Sequence, residues 1–292
     1  MIGARRRRWL ALVYLAPAIV LLALFVFYPA ANAVWTSLTD WNGISRGYDV
    51  VWLANFLRLV TDPEVLGAVR GTLLYTVLTL PVSLVLAFVA ALLVERRSGA
   101  STTLRLAFAI PFVVSIPVVS VVWLWIFDPN FGLLNYLFEL VGLPEQDWLG
   151  SSSTAMVAVA IPSIWRQFGY FMLILLAGMK GIDASLHEAA RLDGASYAQR
   201  AVRITLPLLG PQLFFCLVLG VIDSFQVFAQ VDLMTQGGPL ESTNVIVYEL
   251  YRQGFVYFHV GYACAIAVVL MLVLALLTWV QQRWLGSKVF YQ

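Results

Sequence analysis

Six long apolar runs, at about residues 9–31, 70–94, 104–127, 155–179, 207–229 and 261–282, decide most of what this chain can become. A helix rising 1.5 Å per residue needs about 20 residues to cross a hydrocarbon core of about 30 Å, and each run is close to that length or above it. Backbone inside lipid must satisfy its own N–H and C=O groups, and runs this long do so as helices rather than as the shorter strands of a barrel. The expected fold class is an all-α integral membrane protein with six transmembrane helices, residues 1–292 forming a single transmembrane domain. Composition agrees. With 61% hydrophobic residues, 12% charged residues and a mean hydropathy of +0.85, a soluble domain would expose far too much apolar surface.

Charge placement orients the spans. Arg5, Arg6, Arg7 and Arg8 precede the first run, Arg96, Arg97 and Arg105 lie between the second and third, and Lys180, Arg191, Arg200 and Arg203 between the fourth and fifth. With Arg283 and Lys288, 13 of the 18 basic residues share one side, whereas Arg46, Arg58, Arg70 and Arg252 fall on the other. The positive-inside rule then places both termini and residues 180–206 in the cytoplasm. A basic start followed by an apolar stretch also fits a secretory signal peptide, but this run exceeds the usual 7–15 residues of such a core, so an uncleaved span is expected.

The segment Lys180–Pro211 is a polar island between two apolar runs. Ser185 with Glu188 reads as a capping box, Asp183 is a competing cap, and Gly194 stands where a left-handed helix stop is wanted. A short helix over 186–193 and a second over 195–204 are expected, with Pro207 opening the next membrane helix. Glu188, Ala189, Ala190, Asp193 and Gly194, then Ile204, Leu206 and Pro207 ten or more residues on, resemble the EAA signature of binding-protein-dependent ABC importer permeases. The resemblance implies a coupling helix that docks on an ATPase subunit. The chain departs from the pattern at Ala198 and Ala201, where that family often carries Trp and Phe, so docking would lean more on Tyr197 and Leu192.

The resemblance extends along the chain, through the stretches Phe25–Pro29, Ser37–Asn42, Trp123–Asn135, Thr235–Pro239 and Gly261–Ala265. The last residues, 287–292, resemble the tail of glycerol-3-phosphate uptake permeases. Membership would imply the type I ABC importer permease fold in a bacterial cytoplasmic membrane. It would also imply a second permease subunit forming a heterodimer, two ATPase subunits carrying ATP and Mg, and an external solute-binding protein. No phosphate loop of the form G-x-x-x-x-G-K-[ST] occurs, so ATP is expected to be hydrolysed elsewhere, with no cofactor on this chain and no enzymatic activity of its own. His187 and His259 lack metal-ligand spacing, and Cys216 and Cys264 sit in apolar runs as packing residues. No nucleic-acid partner is expected. The external loop 128–154 holds Asp128, Glu139, Glu145 and Asp147 and no basic residue, which makes it either an acidic face or a merely solvated one.

A charge within a span costs at least about 2.5 kcal/mol unless it faces a cavity or a partner, which marks Arg166 and Asp223 as candidates for the substrate path. Counting rise from the expected span ends puts them at different depths, so a direct pair between them is not expected. Asp223, Gln226 and Gln230 recur at helical spacing and would line one face, with Trp123 or Trp165 supplying a flat apolar surface. Such a path suits glycerol-3-phosphate or a glycerophosphodiester, its anion met by Arg166; the alternative is a neutral di- or oligosaccharide of the maltose or trehalose type. A secondary transporter would more often show ten or more spans with internal repeats. A membrane enzyme would need a clustered nucleophile, base or metal set.

Overall fold

The structure, a computed structural model, describes residues 14–95 and 99–284. Its helices are α1 (Tyr14–Thr36), α2 (Ala54–Thr61), α3 (Pro63–Val94), α4 (Gly99–Val113), α5 (Ile116–Ile126), α6 (Leu133–Leu140) and α7 (Ala155–Met179). They continue as α8 (Ala184–Leu192), α9 (Tyr197–Leu208), α10 (Gly210–Phe225), α11 (Ala229–Met234), α12 (Ile246–Tyr251) and α13 (Val260–Trp284). The basic residues Arg5–Arg8, Arg96, Arg97 and Lys288, the start of the first apolar run and the tail at 287–292 lie outside the described residues. The chain divides into two compact units, residues up to 62 with 250–272, and residues 63–249 with those from 273 onward.

In the first unit, α1 is apolar and exposed along nearly all its length, as a helix solvated by lipid rather than water is. The segment after it is tied down by Asn55 on α2, whose Nδ2 donates to the carbonyls of Ser37 at 2.9 Å and Thr39 at 2.8 Å. At the start of α13, Tyr262 donates to Asp62 at 2.8 Å, and the Arg58 guanidinium lies 4.0 Å over the Tyr262 ring. The stretch between the first two apolar runs is therefore largely folded, and α3 begins at Pro63 rather than near residue 70.

The second unit is built on α3 and α7. Ala87, Ala90, Ala91 and Val94 of α3 pack on Phe171, Met172, Leu175, Leu176 and Met179 of α7, with Leu209 and Cys216 completing the core. Lipid supplies no hydrophobic drive between helices, so small side chains that let backbones approach are what this contact needs. The approach is closest at Gly169, where an added Cβ would stand 1.7 Å from the Phe108 carbonyl of α4. Several polar groups on the same helices are paired: Tyr75 and Gln230 both donate to Ser163 Oγ, and the Ile246 N–H donates to Thr72 Oγ1 at 2.9 Å.

Four helices, α1, α3, α7 and α13, are each long and apolar enough to cross a membrane; six spans are reached when α4 with α5 and α9 with α10 each count as one. These two pairs fall on the spans expected at 104–127 and 207–229, each of which is broken. α4 and α5 meet at 104° across Val114 and Ser115, because Ser115 is extended and Pro117, lacking an N–H, suits the first turn of a new helix. α9 and α10 meet at 71°, and the proline in the first turn of α10 is Pro211, not Pro207, which lies in the last turn of α9.

The loop 128–154, expected to be external, is folded around Asn135 on α6, whose side chain bonds Pro129 O, both backbone groups of Gln146 and the Trp148 indole. Two of its four acids are turn formers, Asp128 accepting from Asn130 and Phe131 N–H and Asp147 from Gly150 N–H. Only Glu139 and Glu145 face a common hollow, of about 340 Å³.

Candidate functional site

Two places in the second unit carry the predicted residues. The first is the polar island. Its leading helix α8 starts two residues earlier than expected because Asp183, not Ser185, is the N-cap, accepting the Ser185 N–H at 2.9 Å. That backbone N–H holds the exposed Asp183 carboxyl below its usual range. A capping box does form, but one helix later, where Ser196 and Gln199 bond reciprocally at the start of α9. Between them α8 closes as sequence predicts: Gly194 is left-handed at φ +80°, Gly194 N–H reaches Arg191 O at 3.0 Å and Ala195 N–H reaches Ala190 O at 2.9 Å. These two bonds satisfy the carbonyls that a helix end leaves open.

The island is moored to the end of α3. Tyr197 donates to Leu92 O at 3.1 Å, and Arg105 of α4 donates through Nε to Val94 O at 3.0 Å, a cation on the negative end of the helix. Tyr197 is thus tied to α3 through its hydroxyl while its side chain stays 47% exposed. Ala201 is buried, so its small size answers to internal packing, while Leu192 is 90% exposed and remains available. Glu188 lines a cleft of about 230 Å³ with Leu92, Glu95, His187, Arg191 and Arg200. Ala189, Asp193 and Gly194 stand on the exposed side of the island, and Ala190 is half-buried. Ile204, Leu206 and Pro207 are not gathered with Glu188; they lie on α9, running toward the membrane.

The second place is a cleft of about 280 Å³ between α4, α7 and α10, lined by Phe112, Arg166, Gln167, Tyr170, Phe171, Leu219, Ile222, Asp223 and Gln226. It brings Arg166, Asp223 and Gln226 together as the sequence suggested. No hydrogen bond or ion pair joins Arg166 to Asp223 among the described residues; instead Gln167 Nε2 donates to Asp223 Oδ2 at 3.2 Å. The two charges share the cleft without pairing directly, as the depth count led one to expect. α10 ends at Phe225 with Gln226 as its C-cap, which corrects the shared helical face. Gln230 belongs to α11, is buried against Ser163, and does not line the cleft. Trp123 does not line it either: its ring packs edge-on against Trp165 at 6.1 Å. The aromatic groups that do line the cleft are Phe112, Tyr170 and Phe171, and Phe112 and Tyr170 are stacked at 4.1 Å and 6°. Nothing in the spacing of these two marks them, since they come from helices 58 residues apart that only the fold brings together. Among the described residues no cluster of three or more His, Cys, Asp or Glu could hold a metal ion.

Residues 83–291 match the family described as the binding-protein-dependent transport system inner membrane component. The chain belongs to that family. Along nearly its whole length it is similar to two permeases named for sn-glycerol-3-phosphate transport. One, from Yersinia pestis, is 32% identical over 285 residues, covering 97% of this chain and 96% of the relative. The other, from Salmonella typhimurium, is 34% identical over 290 residues, covering 98% and 97%. In fold it is similar to a chain of a bacterial alginate ABC transporter solved in complex with an alginate pentasaccharide-bound periplasmic protein. There the TM-score is 0.83 at 22% identity, over 95% of this chain and 94% of the other. The chain is thus a multi-pass permease component of the inner membrane, with the type I importer fold, in a transport system that depends on a binding protein. The residues of the island were legible in the sequence, as were Arg166, Asp223 and Gln226 of the cleft; Phe112, Gln167 and Tyr170 were not.

Proposed function

We propose that this permease carries a small anionic polyol, sn-glycerol-3-phosphate or a glycerophosphodiester, through the cleft at Arg166. The observation behind this reading is that Arg166 presents a buried Nε with no hydrogen-bond partner, in a cleft otherwise polar through Gln167, Asp223 and Gln226. A buried donor left unpaired costs free energy that a phosphate oxygen would recover, and guanidinium is the group best shaped for that oxygen. The Yersinia and Salmonella relatives are named for transport of sn-glycerol-3-phosphate, which supports the same solute.

In this reading a second permease subunit completes the translocation path, an external binding protein delivers the solute, and two ATPase subunits hydrolyse MgATP. They dock on the 180–206 island, with Glu188, Ala189, Ala190, Asp193 and Gly194 at the contact. Both termini and the island face the cytoplasm. A neutral sugar is the second reading, favoured by Asp223, whose charge offsets that of Arg166 in the same cleft. Uptake into proteoliposomes holding the whole complex separates them: phosphate-ester uptake should fall at least tenfold in Arg166→Gln. Unchanged phosphate-ester uptake, or uptake of neutral sugars alone by the wild type, would sink the anionic reading. An ATPase that copurifies with the chain supports the importer and removes a secondary transporter.

A further inference from the structure

Arg166 holds its place in an unusual way for a cation in a membrane helix. Such a charge is usually paired with a carboxylate or with backbone carbonyls, which consume its donors. Here the carboxylate in the cleft, Asp223, is engaged by Gln167, and the guanidinium carbon lies 5.0 Å from the centroid of the Phe112 ring, within the range of a cation–π contact. The ring itself is stacked on Tyr170 at 4.1 Å and 6°. Phe112 thus contacts both Arg166 and Tyr170, which are one turn apart on α7 and so lie on one face of it. A ring held there meets the guanidinium through its π system and leaves the N–H edge unspent, which agrees with the partnerless Nε.

We infer that Phe112, backed by Tyr170, is a positioning residue that holds Arg166 ready for an oxyanion, and that it sets the preference of the cleft for a phosphate ester over the corresponding neutral polyol. This rests on the reading of the cleft as the solute site. Phe112 sits next to last in α4, beside the 104° break before α5, and Gly169 lets α4 approach α7 at backbone distance. The position of the broken span therefore governs whether the stack exists. A shift of the end of α4 away from α7 would release Arg166 without breaking any hydrogen bond, letting it turn toward Asp223. Holding a guanidinium against a ring costs the site nothing in donors. A salt bridge in the same place would make the incoming anion compete with a resident carboxylate.

The test is titration of the purified complete transporter, without its binding protein, with glycerol 3-phosphate and with glycerol as the neutral probe. Wild type should bind the phosphate ester more tightly than glycerol. Phe112→Leu should weaken the phosphate ester on the order of three- to thirty-fold, the range a cation–π contact converts to, and leave glycerol unchanged. Phe112→Tyr, which keeps the ring, should restore wild-type preference, and Tyr170→Leu should reproduce part of the loss. Phosphate-ester affinity within twofold of wild type in a folded Phe112→Leu complex overturns the positioning role while leaving the anionic reading intact. Loss for both probes alike, or no rescue by Phe112→Tyr, reduces Phe112 to packing and also overturns it. If wild type itself shows no preference for the phosphate ester, or Arg166→Gln leaves it unaltered, the solute assignment fails first.

Discussion

At Gly194 the chain needs a backbone state rather than a small side chain. Its φ is +80°, and an added Cβ would meet nothing within 4 Å, so substitution is penalised by conformation and not by crowding. Gly194→Ala and Gly194→Arg should therefore be destabilised alike, by about 1 kcal/mol, with Gly194→Asn milder because Asn visits the left-handed region. All three should insert. Stimulation of the ATPase by the assembled complex should follow the order Gly, Asn, then Ala and Arg together; a large gap between Ala and Arg would mean that bulk at the docking surface matters more than strain. Thr72 poses the opposite case. Its buried hydroxyl accepts the Ile246 N–H, so Thr72→Val leaves that group unmet, at a cost of about 1–3 kcal/mol, whereas Thr72→Ser keeps the bond. Thermal unfolding of the purified protein in detergent should rank wild type and Ser together above Val.

Among the elements, α8 depends most on its ends. It is nine residues long with no buried side chain, so caps rather than packing hold its first turn. Asp183→Ala should raise amide hydrogen exchange over residues 184–187, and Asp183→Asn should not. The carboxyl is depressed in the folded state, so its contribution is fully present above the unfolded value of 3.8 and is lost only as pH falls through the lower folded value. Exchange protection, corrected for the intrinsic rate, should thus be flat between pH 5 and 8, and a loss of protection within that window would show that another group controls the turn. α3 behaves differently: at 32 residues it would extend about 48 Å, well past the hydrocarbon, which lets its end reach Tyr197 and Arg105 beside the island.

For the whole molecule, the distribution of basic residues predicts which surfaces meet which compartment. Single cysteines at Ser153 and Glu241, both exposed or nearly so, should label in intact cells with an impermeant maleimide, and one at Ser185 only after permeabilisation. Labelling of Ser185 from outside would invert the topology and move the island away from any cytoplasmic ATPase.

Hydropathy alone determined the class of fold, because a backbone in lipid has no alternative to helix over runs of this length. The island at 180–206 was legible too, since Asp183, Gly194 and the residues around Glu188 act through local caps and turns whose chemistry is written within a few positions. Tertiary structure decided what depends on distant segments. Composition cannot distinguish a straight apolar run from one broken at Ser115 or at Leu209, because both bury the same residues in lipid and differ only in where a hydrogen-bonded turn is interrupted. The helical face expected for Asp223, Gln226 and Gln230 does not exist, since α10 stops at Phe225, short of where its apolar run does. Phe112 and Tyr170 carried no signal at all: an aromatic in an apolar run is ordinary, and only the close approach of α4 to α7 at Gly169 brings the two rings and Arg166 together.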